Sequence, residues 1–174
     1  MHYRLRPASP ADEPWQLAIY ASVRADELAA LGWPADDRDA FIALQHRAQQ
    51  QHYRQHFPPA ACDLILVNDA VAGRLWVDSR PDRLHILDIA LLPAFRAQGL
   101  GTRCLRTLAA QAAASGRHLS IQVEVHNPAR RLYERLGFAA EGEVQGLYQA
   151  MLWPVGGKAA RDGPPWGRPA PIRP

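Results

Sequence analysis

The sequence predicts an α/β (α+β) domain whose mixed, mostly antiparallel central sheet is flanked by helices. Three observations carry this. A buried strand, a glycine-bearing loop and a helix follow one another over residues 84–108, and a further strand comes after them. Short apolar strands joined by turns precede this unit, and a last strand pair around Gly146 follows it. A strand–helix–strand crossover calls for parallel neighbours and hairpins for antiparallel ones, so the sheet must be mixed. A chain of 174 residues, 48% hydrophobic, suits one domain that buries about 70% of its unfolded surface.

Each element has a local reason. Tyr3-Arg4-Leu5-Arg6 alternates and reads as an edge strand closed by Pro7. Ser9 caps a helix with Pro10 just inside it and Asp12 and Glu13 in its first turn. Leu17, Tyr20, Ala21 and Arg24 continue at helical spacing, and a second segment carries Leu28 and Leu31 until Gly32-Trp33-Pro34 breaks it. Asp36 or Asp37 caps a longer helix through Phe41, Leu44, Ala48 and Gln51, which stops before Pro58. Residues 62–67 and 71–77 form a hairpin turning at Asn68-Asp69-Ala70. Ser79-Arg80-Pro81-Asp82 then turns into the strand of residues 84–91, which Pro93 ends. Leu100, Cys104, Leu105, Leu108 and Ala112 fall at helical spacing. Residues 119–125 form the next strand, and residues 138–143 and 147–153 the final antiparallel pair.

Gly99 and Gly101 sit where a strand becomes a helix. The first N–H groups of a helix lack internal partners and carry the positive end of its dipole, so such a loop suits an anion such as pyrophosphate. Other phosphate loops fit worse: a dinucleotide fingerprint wants a third glycine where Cys104 stands, and a P-loop wants a lysine that is absent here. The stretch Arg96-Ala97-Gln98-Gly99-Leu100-Gly101 resembles the Arg/Gln-x-x-Gly-x-Gly/Ala loop of the GNAT family of acyl-CoA-dependent N-acyltransferases. Downstream, Asn127-Pro128-Ala129-Arg130-Arg131-Leu132-Tyr133-Glu134-Arg135-Leu136-Gly137-Phe138 resembles the family's Asn…Leu-Tyr-x-x-Leu-Gly-Phe block, with one residue fewer between Asn and Tyr than is usual. The two motifs stand in the family's order, separated by a helix and a strand.

The resemblance implies an acetyl-CoA-dependent N-acetyltransferase with a GNAT-like fold over residues 1–155, acting on an amine-bearing acceptor without a metal. It places acetyl-CoA against Ala90, Leu91, Arg96, Ala97, Gln98, Gly99, Leu100, Gly101, Thr102, Asn127 and Tyr133. Acyl transfer needs a neutral amine, stabilisation of the oxyanion and a proton for the departing thiolate. In the family the tyrosine at Tyr133 commonly serves as the acid; its alternative is a core tyrosine bonded to a backbone carbonyl. For the base, His85 falls where some members place a catalytic Glu or His, and an imidazole titrates in the useful range. Asp88 points to the opposite face if the strand is regular, and its family counterpart is often acidic, so it is a candidate to hold the acceptor amine. Glu124 and Gln122 share a face on the neighbouring strand, and a water relay is a further route. An N–H near Leu91, where the family's strand splays, is the implied oxyanion donor. Asn127 reads equally as a helix cap with Pro128 at the first helical position.

Asp26, Glu27, Asp36, Asp37 and Asp39 make the helical region acidic. That favours a cationic amine or is a solvated helix face. Trp33, His52, Tyr53 and His56 read as acceptor contacts or as packing. The formal charge is +3. Lys158, Arg161, Arg168 and Arg173 against Asp162 place all of it beyond residue 155, so the domain before them is formally neutral and no nucleic-acid partner is expected. The two cysteines, Cys62 and Cys104, read as small core hydrophobes in a reducing, cytoplasmic setting. Neither a signal-type h-region nor a long apolar run is present, so no membrane partner is expected. Residues 156–174, rich in Gly, Pro and Arg, read as a flexible tail in which Trp166 could dock, across a homodimer if the tail packs. Two other function classes stay open on these residues: a non-catalytic acyl-CoA-binding module and an interaction protein that works through its tail.

Overall fold

The computed structural model describes residues 2–154; the tail from residue 156 lies outside the described residues. The elements are β1 (Arg4–Pro7), a 3-10 turn (Pro10–Asp12), α1 (Glu13–Ala29), α2 (Ala35–His56), β2 (Ala61–Val67), β3 (Ala70–Ser79), β4 (Arg83–Leu91), a second 3-10 turn (Pro93–Phe95), α3 (Leu100–Ala114), β5 (His118–Glu124), α4 (Arg130–Arg135), β6 (Ala139–Gln145) and β7 (Tyr148–Trp153). The seven strands form one mixed, mostly antiparallel sheet in the order β1-β2-β3-β4-β5-β7-β6. β1 is an edge strand, as the alternation of residues 3–6 implies. Contacts divide the chain into two compact units that do not follow one another in sequence.

One unit comprises residues up to 76 together with 88–98. Ser9 opens the 3-10 turn rather than α1, which starts at Glu13 with Asp12 at its N-cap; the Asp12 carboxylate accepts hydrogen bonds from the Ser9 N–H and Oγ, each at 2.8 Å, and from the Arg6 guanidinium at 2.7 Å. Arg6 above all, and then the Ser9 amide, hold Asp12 well below the usual carboxylate range. Tyr20, Leu28 and Ile42 bury where α1 meets α2, and Ile19 packs with Leu64 and Ala90. Leu28 belongs to a continuous α1, whereas Leu31 lies beyond the helix and is exposed. α2 begins two residues earlier than a cap at Asp36 would set it. Pro34 occupies the capping position, and Asp36 and Asp37 lie in the first turn, where they favour the helix through its dipole rather than by capping. Asn68 and Asp69 both take positive φ, 49° and 64°, the backbone of a tight hairpin turn that these residue types tolerate.

The second unit comprises residues 77–87 and those from 99 onward. Leu100, Cys104, Leu105, Leu108 and Ala112 are all buried, so the helical spacing read from the sequence is the packed face of α3. β4 runs parallel to β5, from Arg83↔His118 to Ile86↔Ile121, and β5 runs antiparallel to β7 from Leu119↔Trp153 to Glu124↔Tyr148. β6 pairs with β7 with an irregularity between Glu141 and Gln145, where Gly142 has φ 66°.

Candidate active site

In the loop before α3, Ala97 takes φ 58°, a left-handed conformation uncommon for a residue with a Cβ, and Gly99, at the helix N-cap, takes φ 77°. Left-handed residues of this kind are the ingredient of anion-binding nests, in which neighbouring N–H groups turn to one side. The first capping bond of α3 is Arg103 N–H to Gly99 O at 3.1 Å. Helix geometry therefore leaves the amides of Leu100, Gly101 and Thr102 without intrahelical acceptors. A Cβ added at Gly99 would meet no atom within 4 Å, so the approach to this backbone is open. Arg96 turns away from the loop, its Nε bonding the Leu91 carbonyl at 2.7 Å and its guanidinium bonding the Ser22 carbonyl and hydroxyl at 3.0 and 2.9 Å. Gln98 Nε2 bonds the Ala94 carbonyl at 2.6 Å. These two side chains fix the loop, and the backbone amides are the groups it offers. The residues fit the pyrophosphate that the motif implies.

The parallel register of β4 with β5 runs to Ile86↔Ile121, within the second unit, and β4 itself runs on to Leu91. Against β3, Arg80 N–H bonds Arg83 O in the second unit, and Leu92 N–H bonds Ala72 O in the first. Asp88 shares a face with Arg74 of β3. Gly73 makes the close strand approach possible: a Cβ there would fall on the Ala90 carbonyl oxygen and 2.7 Å from Leu91 Cδ2.

His85 and Ser120 face each other across the β4–β5 register, with His85 Nδ1 2.8 Å from Ser120 Oγ. Burial, and then Arg80, lower the His85 pKa from its ordinary value, while Asp78 opposes the shift. Asp78 is buried; its Oδ2 takes Arg80 Nε at 2.6 Å, and its Oδ1 has no partner among the described residues. Tyr133 is buried to 6% exposure, its ring edge-on to Phe138 with centroids 5.8 Å apart. Glu124 and Gln122 are exposed, and Glu124 Oε1 accepts the Tyr148 hydroxyl at 3.3 Å. α4 begins at Arg130, later than Pro128. Asn127 instead caps the preceding turn, its Oδ1 accepting the Ala129 N–H at 2.9 Å.

In the first unit Asp88 is half-buried and tied by Arg74, Nε to Oδ2 at 2.7 Å. Asp26, Glu27, Asp36, Asp37 and Asp39 lie on solvated helix faces, all exposed. Trp33 packs edge-on to Phe41, Tyr53 packs on Trp76, and His52 stacks on His56. Burial pushes the Cys62 thiol up to about 12, which makes it a poor nucleophile. Gly73, Arg74, Ser120 and His46 were not singled out by pattern. A glycine and an arginine inside the apolar run of residues 71–77 were the available signals, since each is out of place in a plain buried strand.

The model of the Acetyltransferase (GNAT) family matches residues 21–138. No curated protein matches the sequence significantly. Among solved structures, the fold is similar to that of a PaiA N-acetyltransferase from Thermoplasma acidophilum in complex with coenzyme A. That match has a TM-score of 0.65 at 14% identity, covering 87% of this chain and 98% of that one. It is also similar to histone acetyltransferase HPA2 and related acetyltransferase from Corynebacterium glutamicum, with a TM-score of 0.64 at 19% identity over 89% and 97% of the two chains. RimL, a ribosomal L7/L12 alpha-N-protein acetyltransferase, matches with a TM-score of 0.60 at 20% identity over 88% and 90%. With a family model spanning more than half its length and both family motifs set on the loop and helix that fold demands, the chain belongs to the GNAT acetyltransferase family.

Proposed function

We propose that the chain transfers the acetyl group of acetyl-CoA to a primary amine of a small molecule, peptide or protein. The observation that carries the proposal is the amide-lined loop from Ala97 to Thr102, with positive φ at Ala97 and Gly99, opening the 15-residue helix α3. Acetyl-CoA supplies a pyrophosphate for that loop and an activated thioester for the reaction. The amine nitrogen attacks the thioester carbonyl, the new C–N bond replaces the C–S bond, the amine gives up a proton and the thiolate receives one. Tyr133 is the proposed donor to the thiolate. His85, kept neutral by burial, is the proposed acceptor of the amine's proton, directly or through water, with Glu124 as the alternative. The N–H groups of Ala90 and Leu91 are the proposed donors to the developing negative charge, and Asp88 is the proposed holder of the amine. The likeness to a relative crystallised with coenzyme A supports the choice of cosubstrate.

Free-thiol release from acetyl-CoA over a panel of primary amines, with mass detection of the acetylated product, tests the reading. Amine-dependent release is expected. Coenzyme A binding with no release over the whole panel would leave a non-catalytic binding module, the reading that the burial of Tyr133 against Phe138 favours.

A further inference from the structure

Arg74 is 1% exposed, and every nitrogen of its guanidinium is engaged. Nε donates to Asp88 Oδ2 at 2.7 Å, one terminal nitrogen lies 3.4 Å from the Gln16 carbonyl and 3.2 Å from His46 Nε2, and the other donates to Gln49 Oε1 at 2.9 Å. The Tyr20 ring lies beneath the guanidinium, 5.7 Å from its carbon. A guanidinium can only donate, so His46 Nε2 must be an acceptor. The proton of the neutral imidazole is then on Nδ1, which faces Glu13 Oε1 at 3.3 Å. The Gln50 amide nitrogen, also a donor, sits 3.1 Å from the same Nε2 and 3.1 Å from Glu13 Oε2. His46 is itself 1% exposed. Burial, and then Arg74, lower its pKa, in keeping with a neutral ring.

Taking a guanidinium out of water is expensive, and apolar side chains of like volume would fill the space with less penalty. What the network delivers lies at its outer end. Asp88 Oδ2 is locked by Arg74, whereas Oδ1 has no partner among the described residues, and the side chain is 21% exposed. We propose that Arg74 and His46 are positioning residues of the acetyl transfer, holding Asp88 so that its single open oxygen receives the ammonium of an aliphatic primary amine and discriminates against a guanidinium. One open oxygen suits the point-like donor of an alkylammonium. A guanidinium binds best to two oxygens at once, and here the second is taken. The inference rests on the acetyl-transfer reading for its purpose, and on Asp88 geometry for its selectivity.

The probes are n-butylammonium and n-butylguanidinium chlorides, titrated into the full chain saturated with coenzyme A and followed by the side-chain carboxyl carbon resonance of Asp88. Wild type is expected to show a saturable shift with the ammonium and a weaker one with the guanidinium. Arg74→Lys should weaken the ammonium by about tenfold or more, the order expected when a charge-assisted bond is lost. His46→Leu should act likewise, and His46→Gln, whose amide oxygen can still accept from Arg74, should restore affinity. Each variant is first checked for a cooperative melt; if Arg74→Lys does not fold, the two His46 variants decide. Unchanged ammonium affinity in folded Arg74→Lys or His46→Leu, or equal response to both probes, would overturn the proposal. Where n-butylamine is turned over, its KM should rise in Arg74→Lys while that of acetyl-CoA stays put; a loss common to both KM values means a merely structural role. A selective shift at Asp88 without thiol release from any amine would keep the anchor and remove acetyl transfer.

Discussion

At Tyr133 packing and chemistry compete for one side chain. Its ring fills the space against Phe138, while the family motif puts its hydroxyl at the leaving sulfur. Tyr133→Phe separates the two because it keeps the ring: kcat and kcat/KM should both fall by about a hundredfold, with coenzyme A binding retained, if the phenol protonates the thiolate. A near-wild-type kcat with a melting point lowered by about 1–3 kcal/mol of stability would assign the hydroxyl to structure. His46 poses a different question at the same scale. Its folded pKa lies below the ordinary 6.5, so the unfolded chain binds the extra proton first. Its contribution to stability is therefore complete above about pH 6.5 and is lost as the pH falls through the lowered value. Denaturant melts from pH 8 to pH 5 should show a steeper loss in wild type than in His46→Gln. His85 is shifted the same way and contributes equally to both curves, so the difference isolates His46. Parallel curves would mean that His46 takes up its proton without disturbing Arg74.

Among the elements, the α3 loop and the β3–β4 pair hold the backbone groups assigned to the proposed reaction. Gly99→Asp tests the loop cleanly. An aspartate tolerates the left-handed φ of 77° better than most residues and is a favourable helix cap, so the fold should survive. Its carboxylate would nevertheless face the phosphates. Wild type should gain about 2.7 kcal/mol of stability at coenzyme A one hundredfold above Kd, and the variant should gain none. A thermal shift that persists in Gly99→Asp would move the phosphates elsewhere. Gly73→Ala tests the strand pair, because its new Cβ cannot be placed without moving the β4 backbone at Ala90 or Leu91. A loss of about 1–3 kcal/mol is expected in denaturant melts, the usual range for overpacking, with turnover falling further than stability if an amide there serves the reaction. A neutral Gly73→Ala would mean that the β4 backbone yields freely.

For the molecule as a whole, the tail is the element that composition sets apart, and its removal is the matching test. A chain ended at Val155 should keep its melting temperature within a few degrees, since changes away from packed features are usually worth less than about 0.5 kcal/mol. Loss of cooperative unfolding, or a change in solution mass, would show that residues from 156 onward pack on the body or on a second copy. Both cysteines are free thiols, Cys104 buried in α3 and Cys62 half-buried in β2, so no disulfide contributes to that melt.

Local patterns were enough to mark out most of the elements and the loop. Strand alternation, the apolar face of α3 and the spacing of Arg96, Gly99 and Gly101 are local patterns, and each has one low-energy local solution. They also carried the hairpin at Asn68 and Asp69, because few residue types accept that backbone. Long-range packing set the end of the β4–β5 register at Ile86 and the pairing of His85 with Ser120, which lie 35 residues apart. It alone joined Asp88 to Arg74 and His46, residues on three elements. The physical reason is that strand register and a buried ion pair are set by partners distant in the chain: the pattern around Asp88 records an exposed-looking acid, and nothing next to it records the arginine that takes one of its two oxygens.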